Sequence, residues 1–83
     1  MNRNLESMLD WTEDFVSTLG DGGYDVVFAN NKGFYINAQL NHRYWADIDD
    51  MAGDYGLVSE IFDGNNYTEI RVGISAAAIN DFY

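Results

Sequence analysis

Residues 33–40, Gly-Phe-Tyr-Ile-Asn-Ala-Gln-Leu, alternate apolar side chains with polar or aromatic ones. Every second residue of an extended chain points to the same side, which gives an apolar face of Phe34, Ile36, Ala38 and Leu40. Such alternation is typical of a strand in an antiparallel sheet with one buried face. The stretch therefore predicts a strand.

The residues before this strand predict a helix and the first strand of a hairpin. Residues 24–29 form a β-type run. The loop Asn30-Asn31-Lys32, whose asparagines tolerate positive φ, joins it to the strand at 33–40. Residues 4–19 place apolar side chains at spacings of three and four, the pattern of an amphipathic helix. Gly20 is positioned to end this helix, and a turn follows at 21–23.

The second half of the chain predicts the same order of elements. A short helix is expected over residues 42–52, with Asn41 as its N-cap and Gly53 as its end. A second hairpin follows, with strands over 57–62 and 67–74. Their connection, residues 63–66, has the Asp, Gly and Asn composition of a turn. The buried face of the last strand is expected to consist of Thr68, Ile70, Val72 and Ile74.

Ser75 is placed to cap a short C-terminal helical segment, 76–82. The two halves also echo each other, because Gly20-Asp21 and Gly53-Asp54 lie 33 residues apart, as do Phe28 and Ile61. This offset suggests a degenerate duplication, and the alternative is that two α-β-β units reflect a common structural solution without shared descent. The predicted architecture is one α+β domain over residues 1–83, helix–hairpin–helix–hairpin, with a four-stranded antiparallel sheet and helices on one face.

The net charge limits the classes of partner. Fourteen Asp and Glu against four Lys and Arg give −10, so bare nucleic acid and anionic membranes would repel the chain. A basic protein surface is the expected partner, and acidity that serves solubility alone is the alternative. No apolar stretch approaches the roughly 20 residues that cross a bilayer. The N-terminus lacks the pattern of a signal peptide, so we expect a cytoplasmic protein.

No arrangement of residues in the sequence indicates catalysis or a bound cofactor. The chain has no cysteine and one histidine, His42, which excludes disulfides and cysteine-ligated zinc. A glycine-rich phosphate loop is absent. The acidic run does not match a calcium-binding loop, because the third and fifth positions counted from Asp49 are Met51 and Gly53. We therefore expect a non-enzymatic protein without a metal or cofactor.

Two groups of acidic residues form the candidate binding surface. The segment 47–54 contains no cation and holds Asp47, Asp49, Asp50 and Asp54. The polar face of the predicted first helix holds Glu6, Asp10, Glu13 and Asp14. Like charges four residues apart repel, and Asp49 and Asp50 are expected in the last turn of the second helix, where the dipole disfavours anions. Both patterns place negative charge where it lowers the stability of the fold, and this indicates a binding role.

Aromatic residues add to this candidate surface. The chain contains six Tyr, two Trp and five Phe, of which packing of a small core accounts for about half in our interpretation. Tyr and Trp anchor interfaces at low entropic cost. Tyr44 and Tyr55, which lie close to the acidic segment in the sequence, are the predicted contacts with a partner.

The spacing of the carboxylates suggests what the surface imitates. Acidic residues four positions apart on a helix are about 6 Å apart along its axis, and alternate phosphates of one DNA strand advance about 6.8 Å. One predicted row consists of Glu6, Asp10 and Asp14, and a second of Asp47, Asp50 and Asp54. Such rows would compete with nucleic acid for a groove of Lys and Arg.

In size, charge, absence of cysteine and absence of a catalytic motif, the chain resembles the small acidic inhibitors made by phages and mobile elements. These include anti-CRISPR and anti-restriction proteins and uracil-DNA glycosylase inhibitors, several of which are DNA mimics. The resemblance covers the whole chain and rests on character, not on a motif. It implies a monomer or homodimer that binds a Cas effector subunit, a restriction enzyme or a repair enzyme.

Two other functions remain open at the level of sequence. An immunity protein or antitoxin that neutralises a basic nuclease or toxin would also be small and acidic, but would cover a defined active site. A structural or oligomerisation module would use the exposed sheet face and its aromatic residues as the interface.

Overall fold

A computed structural model describes residues 3–19, 23–64 and 66–82 and confirms the α+β class. In chain order its elements are α1 (Arg3–Leu19), β1 (Tyr24–Ala29), β2 (Gly33–Ala38), a 3₁₀ turn (His42–Tyr44), α2 (Trp45–Asp54), β3 (Val58–Asp63), β4 (Thr68–Gly73) and α3 (Ala76–Asn80). The predicted helix end at Gly20, residues 21 and 22 of the predicted turn, and Asn65 of the second loop lie outside the described residues.

The four strands form one antiparallel sheet in the order β1-β2-β4-β3. The central pairing joins β2 to β4, from Gly33 opposite Gly73 to Ala38 opposite Thr68. The two hairpins therefore meet along their second strands. Strand β1, at one edge, has a bulge at Val27, where the register with β2 shifts.

Helices α1 and α2 cover one face of the sheet, as predicted. The core between them and the sheet includes the fully buried Met8, Ile36, Ile48, Ile70 and Val72. Burial of each such side chain contributes roughly 1.5–3 kcal/mol. In β2 the predicted apolar face is confirmed, but Tyr35 on the other face is buried as well.

Helices α1 and α2 lie antiparallel. At one end, Asn4 Nδ2 donates a hydrogen bond to the carbonyl oxygen of Tyr55, at 3.4 Å. At the other end, the rings of Phe15 and Tyr44 meet edge to face with centroids 6.0 Å apart. The same number of residues separates Asn4 from Phe15 as separates Tyr44 from Tyr55, so the helices advance together along their interface.

Helix α3 packs on the opposite face of the sheet, which we call the outer face. Gly33 and Gly73 are register partners there, and their lack of a side chain admits the helix. A Cβ on Gly33 would lie 2.6 Å from the Phe82 ring, and one on Gly73 would lie 3.2 Å from Ile79. The segment therefore covers one end of the outer face and buries Ile79 completely.

The predicted cap at Ser75 is confirmed, whereas Asn41 caps the 3₁₀ turn before α2 and not α2 itself, whose N-cap Tyr44 makes no side-chain hydrogen bond. Asn41 Oδ1 accepts a hydrogen bond from the Arg43 backbone N–H at 3.1 Å, and Ser75 Oγ accepts one from the Ala78 N–H at 3.2 Å. Ile74 differs from its prediction, because β4 ends at Gly73 and Ile74 is 44% exposed. The strand alternation therefore stops one residue before Ile74.

The repeat offset of 33 residues matches the buried face at Val26 and Ser59, which are opposite Ile36 and Val72, but it does not hold beyond the bulge in β1. It aligns Phe28 with Ile61, but Phe28 is opposite Tyr35, whereas Ile61 is opposite the fully buried Ile70. Because register partners share a side of the sheet, the offset aligns a residue of the outer face with one of the buried face. The bulge in β1 contributes to this mismatch, since β3 has no register shift.

The predicted end of α2 is also wrong. The helix continues through Gly53 to Asp54, and Gly56 makes the turn with φ +73°. There the Leu57 N–H donates to the Ala52 carbonyl at 2.8 Å, and the Gly56 N–H donates to the Gly53 carbonyl at 3.0 Å. These are the two bonds of a Schellman motif, which ends a helix at a residue with positive φ.

The longer helix changes the position of its acidic residues. The prediction that Asp49 and Asp50 lie in the last turn of α2 is wrong, because both lie in the middle of the helix. Asp47 is in the first turn, where the dipole favours an anion, and only Asp54 is in the last turn, where it is disfavoured. The antiparallel arrangement places the N-terminal end of α1 beside Asp54, because Asn4 contacts Tyr55. The positive end of the α1 dipole offsets part of that cost.

A matched pair of substitutions tests this helix end. Gly53→Ala is expected to stabilise the fold by about 0.5–1 kcal/mol, because a Cβ there meets nothing within 4 Å and Ala favours a helix. Gly56→Ala is expected to destabilise it by about 1–2 kcal/mol, because the positive φ is strained for any side chain. Urea unfolding of both variants measures the two free energies, and the opposite order of stability would contradict the assignment.

Candidate functional site

The acidic residues of α2 fall on two sides of the helix. Asp47, Asp50 and Asp54 lie on the side toward α1, and Asp49 lies on the side toward β3. Asp49 accepts a hydrogen bond from Ser59 Oγ at 2.5 Å. The structure thus brings three of the four predicted acids of this segment together and gives the fourth a partner within the fold.

An open groove of about 480 Å³ lies between α1 and α2, and we call it the α1–α2 groove. Its lining consists of Trp11, Phe15, Asp47, Asp50, Met51, Asp54 and Tyr55. The Trp11 ring stacks on the Phe15 ring, with centroids 4.6 Å and planes 19° apart. Trp11 is 38% exposed, so a large aromatic surface faces solvent beside three carboxylates.

The two predicted aromatic contacts occupy different parts of this region. Tyr55 lines the groove directly. Tyr44 does not line it, but its ring touches Phe15, which does. The Arg43 guanidinium lies 4.8 Å from the centre of the Tyr44 ring and donates to its hydroxyl at 2.7 Å. Tyr44 therefore packs at one end of the groove, and its ring and hydroxyl already contact the Arg43 guanidinium.

The predicted acidic residues of α1 lie outside the groove. Asp10 and Asp14 are exposed, and both are two positions from the fully buried Thr12, which places them on the outward side of the helix. Glu6 borders a shallow depression near β1 and Glu13 is half-buried. None of these four acids touches the groove.

The two predicted rows nevertheless run side by side. Since α1 and α2 are antiparallel and advance together, the row from Glu6 to Asp14 extends over the same length as the row from Asp54 to Asp47. Trp11 and Phe15 project between the rows. The layer formed by α1 and α2, which we call the helix layer, thus presents carboxylates of both helices, with Glu6 at its edge beside β1.

The carboxylates of the groove have no counter-charge within the described part of the chain. The two ion pairs seen there join His42 Nε2 to Asp63 at 3.2 Å and Arg71 to Glu69 at 2.6 Å. Neither lies in the helix layer, and no Lys or Arg lines the groove.

The described residues do not show a metal site or a membrane-spanning helix. Within 3–19, 23–64 and 66–82, no group of three or more acidic or histidine side chains is arranged to hold a metal ion. None of the described helices is long and apolar enough to cross a membrane. No protein-family model, curated protein or solved structure matches the chain.

Sequence reasoning missed Trp11 and Phe15 as members of the site. Their spacing of four residues puts both on one side of α1, at the edge of its apolar stripe, and this pattern was visible in the sequence. The stripe does not reveal which of its edges faces the second helix. The contact of Phe15 with Tyr44 identifies that edge.

Two neighbouring acids of α2 allow a direct test of their different roles. Asp50→Ala is expected to stabilise the protein by a few tenths of a kcal/mol, up to about 0.5, because Ala favours the helix and one repelling charge is lost. Asp49→Ala gains the same helix propensity but loses the hydrogen bond from Ser59, which contributes about 1 kcal/mol. Thermal unfolding should therefore rank Asp49→Ala below Asp50→Ala, and equal stability would contradict a structural role for Asp49.

Proposed function

We propose that the protein is a non-enzymatic inhibitor that binds the basic nucleic-acid-binding surface of another protein and thereby keeps nucleic acid away from it. The observation that carries this proposal is the α1–α2 groove. Three carboxylates border the exposed Trp11 ring and the half-buried Phe15 and Tyr55 rings there, and no counter-charge accompanies them within the described residues. A surface that is costly to the isolated fold gains its advantage in a complex.

Imitation of a nucleic-acid backbone is supported by the arrangement of the two acidic rows. They run alongside each other, and successive acids within a row are separated by about one turn of helix, 5.4 Å. This approximates the advance of about 6.8 Å between alternate phosphates of one strand. A groove of Lys and Arg that binds phosphates would therefore attract the helix layer at long range, and this attraction would weaken with salt.

The target class follows from the resemblance to small acidic inhibitors of phages and mobile elements. A Cas effector subunit, a restriction enzyme or a repair enzyme would present the required basic groove. Such a target would be met in the cytoplasm of a bacterial host.

A second function, that of an immunity protein or antitoxin, is favoured by the exposed Trp11. A backbone mimic needs carboxylates, whereas a large exposed aromatic ring suits a shaped contact with one particular protein. A third function, an oligomerisation module, would use the exposed aromatic residues Phe28, Phe62 and Tyr67 on the outer face. The three functions differ in how added DNA affects binding.

Affinity capture separates these functions. The protein, immobilised at low salt, is expected to retain one or a few basic proteins from a bacterial lysate, and added duplex DNA should displace them. Retained proteins that DNA does not displace would favour an immunity-type contact. Retention of no protein, together with a mass that rises with concentration, would favour the oligomerisation module.

Two sets of three neutralised acids test the location of the contact at equal net charge. Asp47→Asn, Asp50→Asn and Asp54→Asn together should weaken binding of the captured protein about 10- to 100-fold, because each exposed ion pair contributes about 0.5–1 kcal/mol. The control set removes three exposed acids outside the helix layer, namely Asp25→Asn, Asp63→Asn and Asp81→Asn. Calorimetric titration should show nearly unchanged affinity for the control, and equal losses would mean that net charge alone governs binding.

Reversal of Asp47, Asp50 and Asp54 to Lys is the stronger form of this test. Binding should be abolished while the fold remains intact or becomes slightly more stable, because repulsion along α2 is relieved. Circular dichroism and thermal unfolding measure the fold independently of binding. Unfolding of the triple variant would show that these acids are structural and would refute the proposed role.

A further inference from the structure

The outer face shows how this chain holds a guanidinium group. Arg71 lies with its guanidinium 5.2 Å from the centre of the Tyr35 ring and 5.1 Å from that of Phe62. It donates to Glu69 Oε2 at 2.6 Å, and both charged side chains are 12% exposed. The Tyr35 hydroxyl donates to the other oxygen of the same carboxylate. Two aromatic rings and a carboxylate thus hold one arginine.

The α1–α2 groove contains the same kinds of group without the arginine. Trp11, Phe15 and Tyr55 supply aromatic rings, and Asp47, Asp50 and Asp54 supply the carboxylates. Within the described part of the chain, no cation lines the groove and none of its acids forms an ion pair. Trp11 is 38% exposed, and tryptophan is the aromatic side chain that binds cations best.

We infer that the α1–α2 groove binds an arginine side chain that projects from the basic surface of the partner. The inference rests on the proposed function, because it names the contact that anchors the acidic helix layer to its target. A planar guanidinium can stack on Trp11 and, with its edge, donate to the carboxylates beside it. Lysine fits the charge but not the arrangement, since its ammonium group is compact and strongly hydrated.

The chemistry of nucleic-acid-binding surfaces agrees with an arginine as the occupant. Arginine is the residue that recognises phosphates and guanine edges with two parallel hydrogen bonds. A partner whose arginine is held in the groove cannot use that arginine for phosphate. The groove would therefore block a specific contact, in addition to the general repulsion of nucleic acid by the acidic rows.

Three synthetic peptides of one Gly-Ser sequence test the preference for arginine. They carry arginine, lysine or citrulline at the same three positions, and citrulline keeps the planar shape without the charge. In titrations of ¹⁵N-labelled protein, the indole N–H signal of Trp11 should move, and the arginine peptide should bind about two- to fivefold more tightly than the lysine peptide. The citrulline peptide should not bind measurably.

The second tryptophan provides an internal control. Trp45 lies on the other side of α2, near Asp49 and Ser59, and its indole nitrogen is buried. Its indole signal should not move with any of the peptides. Equal movement of both indole signals would overturn the inference, because it would show that binding is not confined to the groove.

A variant separates stacking from charge. Trp11→Leu keeps every carboxylate and should make the arginine and lysine peptides bind equally well, while the amide spectrum verifies the fold. The set Asp25→Asn, Asp63→Asn and Asp81→Asn should retain the preference for arginine. A preference that survives Trp11→Leu, or equal binding of the two peptides by the unaltered protein, would overturn the inference.

The outcomes for the arginine contact and for the proposed function are distinguishable. If captured proteins are displaced by DNA but the peptides show no preference for arginine, the inhibitor function stands and the arginine contact fails. If the preference is present but captured proteins are not displaced by DNA, the arginine contact stands and nucleic-acid mimicry fails.

Discussion

The pairing of β2 with β4 is the interaction on which the rest of the structure depends. It places Ile36 opposite Ile70, both fully buried, at the centre of the sheet. Each half of the chain alone is one helix with a two-stranded hairpin, and an isolated hairpin is at best marginally stable in water. The pairing also sets α1 and α2 side by side on one face. The α1–α2 groove is therefore a product of strand pairing, since neither half contains it.

The same pairing explains why the fold tolerates its charge. Each like-charge pair on an exposed helix costs a few tenths of a kcal/mol, whereas each fully buried Ile or Met contributes roughly 1.5–3 kcal/mol. The core outweighs the repulsion between the carboxylates of the helix layer. Acids can therefore accumulate on the helix layer at a small cost in stability.

Much of the fold could be predicted from the sequence because it follows from local patterns. The alternation in residues 33–40 and the helical spacing in 4–19 need no knowledge of distant residues. The end of α2 could not be predicted in this way, because Gly53 and Gly56 are both acceptable stops and the hydrogen bonds of Leu57 and Gly56 decide between them. The repeat offset does not hold beyond the bulge in β1, because a bulge in one hairpin is not visible in its composition.

The candidate site could be predicted only in part for a similar reason. The helical period places Asp47, Asp50 and Asp54 on one side of α2, but it does not reveal that this side faces α1. It does not reveal either that Asp49 faces β3, where Ser59 donates to it. Which acids are brought together depends on helix packing over a paired sheet, and this is long-range information.

The two faces of the molecule differ in how their charges are satisfied, and this difference assigns them different roles. On the outer face Arg71 and Glu69 neutralise each other, and the aromatic residues around them remain partly exposed. In the helix layer the carboxylates face solvent beside Trp11, and within the described residues no cation lines the groove. A second copy of the chain would be repelled less by the outer face, where Arg71 offsets part of the charge of Glu60 and Glu69, than by the helix layer. Self-association and the binding of a basic partner would thus use opposite faces, and neither would prevent the other.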